Sequence, residues 1–386
     1  MIRTAVVLAG GKGTRLRPLT LTIPKPLLPI GNLPLIDHTL TLLYLHGFRK
    51  IVVAVNYLRE KIINHLVSKW IDKDIEIATP LIYPADTADA VRKLANYIDE
   101  DFIVAMGDVV TNMDLRLFAN HHEKAGSMAS VALIEVSSLR DFGAVLLDQD
   151  GYIHHFIEKP GSQEMYVASI AFAMLHSRQA KLFANLANSG FYAFRHEVLD
   201  VLEENLHLMD FGKHVFPWLL ENGFKVSGWY ATETYWIDVG RPASFLRANF
   251  DLLDGNVEPL KPYGRLLGVN YFGENVKLEH GATILPPVAL GDNVIAGEGA
   301  VLGPYAVVGC DTFIGRMAKL QYSVVIGKTN IGERALIENS ILAKGILVGD
   351  NAVIKENSVI GDGVVVKSNS IVGPGAVLYI RSGEQA

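Results

Sequence analysis

Cysteine is nearly absent: Cys310 is the only one in 386 residues. That excludes an internal disulfide framework and any cysteine-rich metal site, and it suits a reducing, cytoplasmic setting. No run of about 18 apolar residues occurs, so no membrane-spanning helix is predicted. Positive charge is not in excess. Lys and Arg number 35 against 41 Asp and Glu, a formal net charge of -6. A nucleic-acid-binding surface is therefore not the dominant feature, although a local basic pocket remains open. The opening residues Met1-Ile2-Arg3-Thr4-Ala5-Val6-Val7 lack a basic region, apolar core and cleavage site in order, so no secretory signal is expected there. What is present is the balance of a folded protein, 49% hydrophobic and 20% charged residues, in a length that suits two domains.

Two kinds of periodicity divide the chain. Up to about residue 250, short continuous apolar runs (Ala5 to Ala9, Ile51 to Val55, Phe102 to Ala105) alternate with helical patterns. Runs of that kind suit strands buried on both faces of a parallel sheet. One helical pattern holds Leu35, Leu42, Leu43 and Leu45 and stops at Gly47; another holds Leu58, Ile62, Ile63, Leu66 and Val67. The alternation predicts an α/β doubly wound domain, with ligands beyond the carboxyl ends of its strands. From Leu290 onward, aliphatic residues recur every six positions: Ala296, Leu302, Val308, Ile314, Leu320, Ile326, and again Val348, Ile354, Ile360, Val366, Val372. Hexapeptide repeats build a parallel β-helix in which each coil buries its apolar residues against the next. Leu290, Val308 and Ile326 are expected to stack, and a loop is expected to leave the stack between Ile337 and Val348, where the phase is lost. The turn-rich connector Asp254 to Pro262 places a boundary near Pro259, giving domains 1–258 and 259–386.

The densest chemistry is Leu8-Ala9-Gly10-Gly11-Lys12-Gly13-Thr14-Arg15-Leu16, followed by Pro24-Lys25-Pro26. Glycines after a strand let backbone N–H groups approach a phosphate chain, and Lys12, Arg15 and Lys25 supply cations. The spacing is neither a P-loop, since Gly13 follows Lys12, nor a dinucleotide fingerprint, since Leu16 takes the third glycine's place. Asp108 should end the strand Phe102 to Ala105. Read alone, Asp108 and Asp238 suit turns or caps as well as a metal, and Glu158-Lys159 suits an exposed turn.

The loop resembles the signature of the sugar-1-phosphate nucleotidyltransferases, also called NDP-sugar pyrophosphorylases. The likeness continues through Met106-Gly107-Asp108, Phe142-Gly143, Glu158-Lys159-Pro160, Asn188 to Tyr192 and Trp236-Ile237-Asp238-Val239-Gly240. The repeat is similar to the C-terminal domain of the subgroup that contains GDP-mannose pyrophosphorylases. The resemblance implies a Rossmann-like nucleotidyltransferase domain followed by a left-handed β-helix. It implies attack of a sugar-1-phosphate oxygen on the α-phosphorus of a nucleoside triphosphate. On that pattern Leu8, Ala9, Gly10, Gly11, Lys12, Gly13, Thr14, Arg15, Thr87 and Gly107 bind the nucleotide. Glu158 binds sugar hydroxyls, Lys159 the sugar's phosphate, and Gly143 and Asn188 line the sugar pocket. Arg15, Lys25, Asp108, Lys159 and Asp238 serve catalysis, and Asp108 and Asp238 hold Mg²⁺.

Two departures stand out. Many relatives carry Gly-Thr-Ala at the base-binding turn, where this chain reads Asp86-Thr87-Ala88. Asp86 suits a helix N-cap; alternatively, its carboxylate accepts hydrogen bonds from N1–H and N2–H₂ of guanine and selects GTP. Between Pro160 and Asn188 the chain is longer than in most relatives, and Ala168 to Leu186 has the pattern of an apolar-rich helix, a lid or an oligomer contact. His121-His122 and His154-His155 do not have metal-ligand spacing, and Cys310 reads as a small buried residue.

The leading function is transfer from GTP to mannose-1-phosphate, with glucose-1-phosphate uridylyl, thymidylyl or adenylyl transfer as the alternative. A bifunctional enzyme whose β-helix acetylates amino sugars is disfavoured, because histidine, the usual base there, is absent after His280. A non-catalytic regulatory subunit is disfavoured by the retained Arg15, Lys25, Asp108, Lys159 and Asp238. The β-helix is expected to assemble a homo-oligomer, a dimer or tetramer.

Overall fold

The first apolar run forms strand β1 (Thr4–Leu8), all five residues buried. A strand with no polar face must be covered on both sides, and β1 lies in the middle of a sheet. It pairs in parallel with β2 (Lys50–Ala54) on one side and β4 (Phe102–Met106) on the other; β3 (Glu76–Ala78) pairs in parallel with β2. The chain thus runs outward from β1 and then returns to its other side. That reversal opens the crevice in which doubly wound sheets hold ligands, and Leu8, Ala9 and Gly10 lead into it. The computed structural model describes residues 2–136, 144–157 and 186–380.

Beyond β4 the sheet becomes mixed. β5 (Ala129–Glu135) and β8 (Leu186–Phe194) pair antiparallel, and β8 also pairs antiparallel with β4. β6 (Ala144–Leu147) and β7 (Ile153–Ile157) form an antiparallel pair that joins β8 at Ala187 and Ala144, and β9 (Val226–Tyr230) pairs in parallel with β5. Helix Arg59–Trp70 buries Ile62 and Leu66 from the expected apolar face, together with Trp70, while Val67 stays exposed. Phe194, Phe211 and Phe216 pack with Tyr192 and Phe102 in one aromatic cluster, with Tyr192 and Phe216 ring centroids 5.0 Å apart. The sheet, its helices and this core belong to one contact unit: residues 1–11, 39–107 and 113–236.

The second contact unit comprises residues 12–38, 108–112 and 237–386. Most of it is a left-handed parallel β-helix with three stacks of short strands. The inward positions of the repeat are buried: Ala296, Leu302, Val308, Ile314, Leu320, Ile354 and Ile360 are at most 1% exposed. Two expectations for the repeat need correction. Leu290 stacks on Val308, but Val308 stacks on Val325, not Ile326. Likewise Val325 pairs with Leu342 and Leu342 with Ile360. No loop leaves the stack between Ile337 and Val348. Instead, the steps Leu320 to Val325 and Ile337 to Leu342 each lose one residue at a corner. Tyr322 and Asn339 turn there in the left-handed conformation (φ 50° and 41°), and Tyr322 N–H still reaches the Pro304 carbonyl at 2.8 Å. Each corner keeps its coil-to-coil bond with one residue fewer, so the deletion falls between strands and leaves their pairing intact. Cys310 is half-buried rather than buried. No helix among the described residues is long and apolar enough to cross a membrane.

Candidate active site

In the second unit the residues after the Gly-rich turn fold back on themselves. Gly13 adopts φ +59°, and a Cβ there would stand 3.1 Å from the Cβ of Lys25. Its carbonyl accepts from the Thr20 hydroxyl at 2.8 Å. This closure covers the lysine stem and leaves the Lys25 side chain only 8% exposed. Its ammonium is aimed at two carboxylates: Asp108 Oδ2 at 2.6 Å and Asp238 Oδ1 at 3.4 Å. Arg15 Nη2 lies 3.9 Å from Asp238 Oδ2, with the Arg15 side chain 61% exposed. Asp108 precedes the strand Val109–Thr111, which pairs with Trp236–Asp238, and Val239 N–H donates to the Asp108 carbonyl at 3.0 Å. Two short paired strands therefore bring together aspartates far apart in sequence. Burial pushes the Asp238 carboxyl up, the neighbouring Asp108 carboxylate adds to this, and Lys25 and Arg15 only partly offset it.

In the first unit, Gly107 N–H donates to the Leu8 carbonyl at 2.9 Å, and a Cβ on Gly107 would stand 3.0 Å from that oxygen. The ends of β1 and β4 are thus in close backbone contact. The base-binding turn of the family pattern opens helix Thr87–Lys93, where Asp86 Oδ1 accepts from Thr87 N at 2.9 Å. Thr87 Oγ1 donates to Asp210 Oδ2 at 3.2 Å and accepts from Phe211 N at 3.2 Å. Beneath the turn, buried Asp89 accepts from Ala85 N at 2.7 Å, from Lys93 Nζ at 2.8 Å and from Arg92. Asn188 lies on β8, with its amide nitrogen donating to the Tyr192 hydroxyl at 2.9 Å and its oxygen accepting from Gly190 N at 2.9 Å.

The pattern of the nucleotidyl transferase family matches residues 4–255. The chain belongs to that family. The GMPPB C-terminal domain pattern matches residues 284–382. Among similar proteins, a putative mannose-1-phosphate guanyltransferase of Sulfolobus acidocaldarius is 29% identical over 77% of this chain and 73% of its own length. Mannose-1-phosphate guanylyltransferase 1 of Arabidopsis thaliana is 29% identical over 90% of this chain and 92% of its own. A protein named bifunctional protein GlmU, from Methanococcus vannielii, is 29% identical over 88% of this chain and 77% of its own.

Nucleotidyl transferases of this family generally use a divalent metal. The residues present fit one. Lys25 Nζ sits within reach of both Asp108 and Asp238, so two hard oxygen donors already face one cationic centre, and Mg²⁺ favours one or two carboxylates completed by phosphate oxygens. Gly143, Glu158 and Lys159 lie outside the described residues, as does nearly all of the helix expected over Ala168 to Leu186; its last residue, Leu186, begins β8. The paired histidines behave as structural groups. His122 Nδ1 bonds the Ser130 hydroxyl at 2.7 Å, and His154 Nε2 bonds Asp148 at 2.8 Å.

Sequence reasoning gave no role to Gly240, Asp89 or Asp210. A Cβ on Gly240 would stand 2.8 Å from Asp238 Oδ2 and 3.1 Å from Arg15 Nη2. Its place directly after Trp236-Ile237-Asp238-Val239 was the available clue. Asp210 acts by tertiary contact with Thr87, whereas the partners of Asp89 are local and only its burial sets it apart from an ordinary helix charge.

Proposed function

We propose that this nucleotidyl transferase converts mannose-1-phosphate and GTP into GDP-mannose and pyrophosphate. The observation that carries the reading is the single ammonium of Lys25 bridging Asp108 and Asp238 beside Arg15, in a chain whose C-terminal part matches the GMPPB C-terminal domain. Guanylyl transfer to mannose-1-phosphate is also the activity in the names of the relatives from Sulfolobus and Arabidopsis. In the reaction, a phosphate oxygen of the sugar-1-phosphate forms a bond to the α-phosphorus. The bond from that phosphorus to the β-phosphate bridging oxygen breaks, and its electron pair leaves with pyrophosphate. No proton has to move, so catalysis consists of alignment and charge neutralisation. Arg15 and Lys25 neutralise the departing pyrophosphate. Asp108 and Asp238 hold Mg²⁺, which when bound screens the triphosphate and polarises its phosphorus.

By the family pattern, the backbone of Leu8 to Gly11 and Gly107 takes the base and ribose side, and Lys12 to Arg15 take the phosphates. Glu158 takes the sugar hydroxyls, Lys159 the sugar's phosphate, and Gly143 and Asn188 line the sugar pocket. Asp86 keeps one carboxylate oxygen for guanine while the other caps Thr87. The same reading assigns residues 1–258 to catalysis and 259–386 to a β-helix that assembles a homo-oligomer, in a cytoplasm that suits a lone cysteine. Glucose-1-phosphate uridylyl transfer is the second reading, favoured by a Synechocystis relative of that name at 28% identity.

Pyrophosphate release with Mg²⁺, measured over GTP, UTP, dTTP, ATP and CTP against mannose-, glucose- and glucosamine-type 1-phosphates, tests both. The largest kcat/KM is expected for GTP with mannose-1-phosphate. A maximum at UTP with glucose-1-phosphate selects the second reading. Nucleotide-sugar binding without turnover in any pairing replaces both with a regulatory role. Asp86→Ala is expected to lower the GTP-over-ATP preference by about tenfold; an unchanged ratio removes Asp86 from base selection.

A further inference from the structure

The segment that carries Arg15 and Lys25 rests on the β-helix within its own contact unit. Asn32 Nδ2 donates to the carbonyls of Ala289 at 3.3 Å and Val308 at 3.1 Å. Gly31 N–H donates to the buried Asn249 Oδ1 at 2.8 Å. At the other end, Pro18 lies so close to Gly361 that a Cβ on the glycine would stand 3.1 Å from the Pro18 Cβ. Beside it, the Thr22 hydroxyl donates to Asp362 Oδ2. Lys25 lies between these two clips. Pro24 and Pro26 flank it, and Leu27 and Leu28 N–H close onto Pro24 and Lys25 carbonyls at 2.8 and 3.1 Å. Proline fixes φ, so little slack separates Thr22 from the Lys25 ammonium.

Asp362 is one of several Gly-Asp pairs in the repeat. Asp292, Asp350 and Asp362 each accept a backbone N–H from the coil before: Glu274 at 2.7 Å, Glu333 at 2.8 Å and Lys344 at 2.9 Å. The second oxygen differs. That of Asp292 accepts from the Tyr263 hydroxyl at 3.0 Å, and that of Asp362 takes Thr22. Asp350 supports its coil in the same way without reaching residues 12–38.

We infer that Asp362 is a positioning residue for the nucleotidyl transfer reaction: through Thr22 the β-helix holds the Lys25 segment in register with Asp108 and Asp238. The inference rests on the catalytic reading given above. It makes this part of the β-helix a component of the catalytic apparatus as well as a platform for assembly.

The test compares full-length Asp362→Ala with Asp350→Ala, since both lose a coil-to-coil bond and only the first loses the clip. Asp362→Ala is expected to lower kcat about tenfold below Asp350→Ala, with KM for the nucleoside triphosphate within about twofold. Thr22→Val should match it, Asp362→Asn and Thr22→Ser should restore most of the rate, and the Thr22→Val/Asp362→Ala double variant should lose no more than either single one. Equal kcat in the two aspartate variants, or additive losses in the double variant, overturns the inference. Amide hydrogen exchange over Leu16 to Leu28, measured without substrate, separates the clip from the catalytic reading. Faster exchange in Asp362→Ala alone supports the clip even if the wild-type chain turns over none of the substrates, an outcome that removes the catalytic reading. Unchanged exchange and kcat in an active enzyme remove the clip alone.

Discussion

Asp89 and Asp238 each face a lysine and an arginine, yet their carboxyls are driven in opposite directions. Burial alone would raise Asp89, but hydrogen bonds from Lys93, the Ala85 N–H and Arg92 outweigh it and hold the group at about 2. Asp238 is raised, because burial and the Asp108 carboxylate together outweigh Lys25 and Arg15. The bonding explains the contrast. Asp89 receives direct hydrogen bonds from both cations and from the backbone. Asp238 must share Lys25 with Asp108, and its contacts to Lys25 and Arg15 stretch to 3.4 and 3.9 Å. A fully compensated carboxylate stabilises a turn. An under-compensated pair retains capacity for an added cation, which is what a phosphate-transfer site needs.

Removing the lysine that the two aspartates share gives the largest expected effect. Lys25→Met should lower kcat by roughly 10²–10³-fold and cost about 2 kcal/mol of stability, because it leaves two neighbouring carboxylates without their shared cation. Steady-state pyrophosphate release and urea denaturation of the same samples check it. A variant that unfolds early but keeps its turnover number would break the contrast, since Lys25 would then be the structural group.

Next in size is Asp89→Ala, which strands Arg92 beneath the turn and should cost about 3 kcal/mol of stability. The sign of its pH dependence is fixed by the lowered carboxyl. Its contribution is complete above the ordinary value of 3.8 and is lost as pH falls toward about 2. Urea titrations of wild type and variant should therefore converge over that interval. A gap that persists at low pH would mean packing rather than charge holds the turn.

The smallest effect is Asp238→Asn on stability. The raised folded-state carboxyl means that ionised Asp238 is a net cost to the fold at neutral pH. The amide should raise stability, by less than about 1 kcal/mol because the side chain is 34% exposed and partly screened by solvent. The gain should shrink as pH falls through the raised value and wild-type Asp238 protonates, the opposite slope to Asp89→Ala. Thermal melts at several pH values would show it, and parallel slopes for the two variants would erase the distinction drawn between the clusters.

The two clusters were unequally legible. Arg15 and Lys25 stand in a Gly-rich segment whose residue types suit phosphate, whereas Asp108 and Asp238 read alone as turn or cap residues and are singled out only by the family resemblance. Their grouping is not legible there, because it depends on Val109–Thr111 pairing with Trp236–Asp238 across a long stretch of chain. Asp89 carried no such mark. At i+3 and i+4 from it, Arg92 and Lys93 read as ordinary helix charges, and only the burial of Asp89 makes them a compensated pair. The N-cap of Asp86 was legible because capping is local.

The repeat divides in the same way. Its six-residue period fixes a parallel β-helix and names the buried residues, since alternate stacking of coils leaves few other ways to hide aliphatics at that spacing. It did not fix the register after Leu320. A corner can drop one residue without breaking the ladder, so Val325 rather than Ile326 follows Val308. Local pattern thus determined most of the strands and helices, the apolar residues and the cations of the Gly-rich segment, because each is governed by near neighbours in the chain. Tertiary structure alone decided which carboxylates share a lysine and which aspartate meets Thr22. Those pairings depend on distance through space and on exclusion of water, and neither is encoded by separation along the sequence.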